Sequence, residues 1–167
     1  SGDRVGIIFH TLCRRTLYFA DMNKFIHPEF ECVTSDMIVM NTLASRLSMI
    51  FAQRHLVVGE YSDITGVFAC LGGEGEVIRK GDAEIHSTFD GEYTALLKRN
   101  GRFAFSYGKS EDEAIALCEK GITLDLDKLK AEKAKLFEKP APAGCLYPQL
   151  YAKCISVMRS QLYSPEG

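Results

Sequence analysis

The sequence predicts an α/β fold: a central, mainly parallel sheet flanked by helices, extended at its carboxyl end by a β-hairpin and further helices. Three observations predict it. Val5-Gly6-Ile7-Ile8-Phe9 and His55-Leu56-Val57-Val58 are short, continuous apolar runs, which suit strands buried on both faces. From Asn41 to Ala52, Leu43, Leu47, Ile50 and Phe51 recur at three- and four-residue spacing, so a helix there has one buried face. Asn100-Gly101 stands between two β-prone runs, the strongest short-range hairpin signal a sequence offers.

Taken in order, Val5–Phe9 is the first strand. Phe30, Cys32 and Val33 open a second, Phe30–Thr34, which closes in Thr34-Ser35-Asp36, turn and cap chemistry. The Asn41–Ala52 helix then leads into the Leu56–Val58 strand, giving an α/β unit with right-handed crossovers. Val77–Lys80 and Ala83–His86 read as short strands around Gly81-Asp82. A two-residue turn at Asn100-Gly101 pairs Lys98 with Phe103 and Leu96 with Phe105. Phe103, Phe105 and Tyr107 then share one face that must be covered. Ser110 with Glu113 is a capping box, and Gly121 suits the left-handed position that ends a helix. Asp125 or Asp127 caps the next helix, with Leu126 and Leu129 inward. Pro140–Gly144 is a short stiff linker. The last helix, about Pro148–Tyr163, carries Leu150, Tyr151, Cys154, Val157, Met158 and Leu162 and packs back on the domain, so that it or the helix before it is expected to cover the hairpin aromatics. Residues 1–65 form the core unit on this reading. Residues 66–163 elaborate the same domain, with a degenerate second unit as the alternative.

Composition narrows the functional classes. The chain has 167 residues, 46% hydrophobic and 25% charged, which is ordinary for a globular domain. Its net charge of −2 does not suit a bulk polyanion binder, so direct nucleic-acid binding is not expected. The basic clusters at Arg14-Arg15, Lys98-Arg99 with Arg102, and Lys128–Lys139 are local, and the last alternates with Glu132 and Glu138 as a solvated helix face does. No apolar run approaches a membrane-spanning length. Ser1-Gly2 reads as a cleavage scar, which suggests a piece of a longer protein. The six cysteines contain no C-x-x-C pair, so metal-ligand spacing is absent. Cys32, Cys118 and Cys154 lie among apolar neighbours as small core residues, and reduced thiols fit the cytosol or nucleus.

Catalytic signals are thin. Gly72-Gly73-Glu74-Gly75-Glu76 lacks the lysine and hydroxyl residue of a nucleotide loop, and its carboxylates would repel phosphate. His10, His27, His55 and His86 are dispersed, with no serine or cysteine beside them in a nucleophile motif. The reading is therefore not an enzyme, with no cofactor and no metal.

One stretch carries a resemblance. Gly6–Thr11 (GIIFHT) is a strand ending in a hydroxyl residue, and a VTSD strand, the segment NTLASRLSMIFA and then HLVVGEYSDI follow it in order. Across residues 4–65 this pattern resembles a BRCT domain. It departs from the family at Leu12, where a glycine usually stands, in the short space from Leu12 to Phe25, and in the absence of tryptophan. Divergence of this kind with a long tail is similar to the BRCT domain of a kinetoplastid kinetochore protein. The resemblance implies a nuclear, phosphorylation-dependent protein-interaction module of chromosome segregation or DNA-damage response, with a phosphorylated protein or peptide as partner. A phosphoryl group carries close to two charges and three acceptor oxygens, so holding it takes a hydroxyl, a backbone N–H and a cation. The resemblance assigns these to Thr11, Leu12 and Arg46. On spacing alone Arg46 is a solvent-facing helix residue and Thr11 a satisfied strand end. The alternative function is a structural interaction scaffold without phosphate binding.

Overall fold

The computed structural model describes residues 4–9, 15–20, 29–34, 37–41, 46–53, 55–62, 66–71, 77–87, 91–137 and 141–160. Eleven strands precede three helices among these residues: β1 (Arg4–Phe9), β2 (Arg15–Ala20), β3 (Glu29–Thr34), β4 (Met37–Asn41), β5 (Arg46–Gln53), β6 (Leu56–Ser62), β7 (Gly66–Leu71), β8 (Val77–Lys80), β9 (Ala83–Ser87), β10 (Tyr93–Arg99) and β11 (Arg102–Gly108), then α1 (Glu111–Ile122), α2 (Leu126–Phe137) and α3 (Pro148–Ser160). The main sheet has eight strands in the order β3-β4-β5-β6-β11-β10-β9-β8, and a second sheet has the order β1-β2-β7. Every described pairing is antiparallel.

This overturns the mainly parallel α/β sheet that the sequence and its BRCT-like pattern led us to expect. Val5–Phe9, Phe30–Thr34 and Leu56–Val58 are strands, but the first lies in the small sheet and the other two are not parallel neighbours. In place of the expected helix over Asn41–Ala52, Asn41 ends β4 and Arg46–Ala52 lie in β5; residues 42–45 lie outside the described residues. Leu47, Met49 and Ile50 are buried on both sides of β5, and a strand covered on both faces shows apolar residues at helical as well as alternate spacing. Both sheets also cross the residue 65/66 boundary, β6 pairing β11 and β2 pairing β7.

The hairpin forms in the expected register, Lys98 opposite Phe103 and Leu96 opposite Phe105. Asn100 and Gly101 take φ of 50° and 73°, the doubly left-handed turn that Asn-Gly favours. Ser110 caps α1 by accepting from the Glu113 N–H at 3.2 Å, while the Glu113 carboxylate accepts from the Lys109 N–H at 2.7 Å. Asp125 caps α2, accepting from Lys128 N–H at 3.0 Å.

α1 lies on one face of the main sheet. Ala114, Cys118, Ile122 and Leu126 join Ile50, Leu56, Val58, Ala83, Ile85, Ala95, Leu97 and Ala104 in a single core. Gly121 does not end the helix as expected; it lies inside α1 and is buried. A Cβ there would sit 2.9 Å from both Leu56 Cδ1 and Val58 Cγ1, so the missing side chain lets α1 approach β6. The opposite sheet face buries Leu47, Met49, Leu96 and Phe103, and β7 of the small sheet comes close to β10. Gly59 belongs to this second face, where an added Cβ would meet the Phe103 ring at 2.4 Å. Among the described residues the main contacts of α3 are with α2 and β3 rather than with the hairpin strands.

Candidate binding groove

Most of the chain's hairpin cations are used structurally. The Arg99 guanidinium donates to both carboxylate oxygens of Glu119 at 2.8 Å, and its Nε donates to Asp82 at 3.0 Å. These bonds tie the end of β10 to α1 and hold the guanidinium pKa above its ordinary value. Lys98 pairs with Glu84 at 3.4 Å, and Lys80 with Glu111, the latter bond raising the Lys80 pKa.

Arg46 and Arg102 are placed differently. Arg46, Glu60, Tyr61 and Ser62, with the turn residues Asn100 to Arg102, line an open groove of about 480 Å3 at one end of the main sheet. Arg46 begins β5, is exposed, and stands directly opposite Ser62 of β6. Residues facing each other across antiparallel strands have side chains on the same face. The next row on that face is Ser48, Glu60 and Arg102, in register across β5, β6 and β11. The turn is held against β6 by the Tyr61 N–H, which donates to the Gly101 carbonyl at 2.7 Å. The Tyr61 ring leans on Phe103 with centroids 6.4 Å apart, which fixes one wall to the core.

Two helical groups reach this end of the sheet. Lys130 of α2, its side chain only 20% exposed, donates to Glu60 at 2.7 Å. Arg102 donates to the Leu124 carbonyl, just before α2. Arg46 makes no ion pair with any described residue. The groove thus presents a hydroxyl beside one guanidinium and a second guanidinium in the next row. A planar guanidinium grips two oxygens of an oxyanion at once, which a lysine ammonium does not do.

Of the residues expected to hold phosphate, Arg46 alone is described; Thr11 and Leu12 lie outside the described residues. Arg46 sits on a strand rather than a helix, and the hydroxyl beside it belongs to Ser62. Sequence reading missed Ser62, Arg102 and Lys130 as neighbours of this site. The Asn-Gly turn fixes where Arg102 sits in its hairpin, but nothing local to it announces that β11 pairs with β6. Lys130 fell within a run read as a solvated helix face, and Lys128 does fit that reading, 4.0 Å from Glu132.

Other chemistry is sparse. His86 is buried and the His55 ring meets that of Tyr107 at a tilt of 44° with centroids 5.1 Å apart; His10 and His27 lie outside the described residues. Cys118 is buried as expected, whereas Cys154 is exposed. Burial pushes the Cys118 thiol up to about 11, so it stays protonated and a poor nucleophile near neutral pH. Among the described residues no group of three or more potential metal-binding side chains occurs, and no helix is long and apolar enough to cross a membrane. No protein-family model, no curated protein and no solved structure matches this chain.

Proposed function

We propose that this domain is a non-catalytic interaction module that binds a phosphorylated serine or threonine of a partner protein in the groove of Arg46, Ser62 and Arg102. One observation carries the reading: an exposed guanidinium without an ion-pair partner among the described residues stands cross-strand from a hydroxyl, in an open groove that holds a second guanidinium. That combination supplies the cation and hydroxyl that a phosphoryl group demands. The nuclear setting, in chromosome segregation or DNA-damage response, rests on the sequence pattern of residues 4–65 alone.

The test uses a degenerate phosphoserine/phosphothreonine peptide pool and its unphosphorylated counterpart, measured by fluorescence anisotropy. The phosphorylated pool should bind more tightly, and the preference should shrink as salt rises. Arg46→Ala should weaken it about tenfold, since a charge-assisted hydrogen bond contributes roughly 1.5–3 kcal/mol. Ser62→Ala should cost less, because it removes a neutral donor. Neither change should alter the melting temperature by more than about 2 °C, as substitutions at exposed polar sites leave the core intact. Equal affinity for the two pools would leave the domain a structural scaffold.

A further inference from the structure

Glu60 and Arg102 are directly opposed on β6 and β11. Opposed residues in an antiparallel pair have Cβ atoms about 4.5–5.5 Å apart, within easy reach for a glutamate and an arginine. The expected partner of Arg102 is therefore Glu60, and the pair would neutralise one of the two guanidiniums in the groove. The structure has neither joined to the other. Glu60 instead accepts from Lys130 Nζ at 2.7 Å, and Arg102 donates to the Leu124 carbonyl. Both substitutes come from one place, α2 and the residue two before it. Lys130 is held between Glu60 and Asp127, the latter 4.0 Å away on its own helix. Its side chain is largely buried, unlike that of Lys128, so it is a fixed counter-charge rather than a solvated one.

We propose that Lys130 is a positioning residue that withholds the Glu60 carboxylate from Arg102 and so keeps the groove open to an external anion. Docking of α2 on the sheet then sets the charge of the groove. With Lys130 in place the carboxylate is neutralised from the helix side and Arg102 keeps donors for a ligand. Without it, Glu60 turns to the arginine across the strand and acts as an internal competitor for oxyanions. The effect on ligand affinity rests on the phosphate-binding reading above; the rearrangement of Arg102 does not.

The experiment separates the two. Side-chain 1H–15N spectra of the ligand-free protein report the Arg102 Nε–H. Lys130→Met should shift that resonance, and the double variant Lys130→Met/Glu60→Gln should return it toward the wild-type position. Lys130→Arg, which keeps the charge, should leave it close to wild type. In parallel, Lys130→Met should weaken the phosphopeptide pool about threefold to fivefold and the double variant should recover the loss, matching a cross-strand charge pair of up to about 1 kcal/mol. An unmoved Arg102 resonance in Lys130→Met overturns the proposal, as does a shift that persists in the double variant, since loss of α2 docking alone would then explain it. The expected Arg102 shifts with no phosphopeptide binding by any variant, wild type included, would uphold the positioning role and discard the phosphate reading.

Discussion

α1 and α3 are both amphipathic and of similar length, yet only one is absorbed by the sheet. α1 meets the sheet through small side chains: Ala114, Cys118 and Gly121 are buried opposite Leu56, Val58 and Ala104. α3 and the turn before it turn large apolar groups outward, with Tyr147 69%, Leu150 59% and Met158 65% exposed. Among the α3 side chains that the structure describes, Tyr151, Ala152 and Ile155 are half-buried. The difference teaches that apolar content does not decide burial. Close approach does, because dispersion and area removed from water both require contact along the whole helix.

The strongest way to break this contrast is to deny α1 its close approach. Gly121→Leu should cost about 3 kcal/mol, because backbone and Leu56 cannot both move aside in a filled core. Thermal melting should fall by roughly 6–12 °C at about 2–4 °C per kcal/mol. A melting temperature within a degree of wild type would mean that α1 does not rest on β6.

A pH titration sharpens the contrast next. The Cys118 thiol rises from 9.0 in the unfolded chain to about 11 in the fold, chiefly through burial and against the bond to Ser106. Between these values the unfolded chain has released a proton that the folded chain keeps. Stability therefore falls as pH rises through that window, by on the order of 2–3 kcal/mol. Urea unfolding of wild type and Cys118→Ala from pH 8 to 11 should show a steeper loss in wild type. Cys154, exposed on α3, should react with iodoacetamide in native protein while Cys118 does not.

The smallest effect is expected on α3. Leu150→Ser and Met158→Gln should each change unfolding free energy by no more than about 0.5 kcal/mol, the range of surface substitutions. A loss above 2 kcal/mol in urea unfolding would put these side chains in a core and end the comparison.

What was legible in the sequence follows the same line. Local chemistry was readable: the Asn100-Gly101 turn with its register, the Ser110 cap, an aspartate cap on α2 (Asp125 of the two offered), and the β8–β9 hairpin around Gly81, whose φ is 58°. Each depends on a few adjacent residues and their own backbone groups. Strand direction was not readable, because continuous burial arises whenever both faces of a sheet are covered, by helices or by another sheet. That ambiguity made Asn41–Ala52 read as a helix, although Arg46–Ala52 lie in β5, and hid β4. Gly121 was misread for the opposite reason. A glycine near a helix end serves chain reversal or close packing, and only the position of β6 decides between them. At the groove, Arg46 was singled out but on the wrong element, and its companions were missed because the β6–β11 pairing joins segments far apart in the chain.

That pairing has a thermodynamic consequence. The main sheet is two meanders, β3 to β6 and β8 to β11, stitched along the single seam of β6 and β11. The groove straddles the seam, taking Arg46, Glu60 and Ser62 from one meander and Asn100 to Arg102 from the other. A ligand seated there would bridge two pieces of chain that also meet through the β6–β11 ladder, the shared core under α1 and the Gly59–Phe103 packing on the other face. Such a ligand would act as a clamp, resisting separation of the meanders by about 2.7 kcal/mol at a hundredfold excess over its Kd. On the phosphate-binding proposal, occupancy of the groove and integrity of the sheet would be one equilibrium, and release of the ligand would loosen the seam.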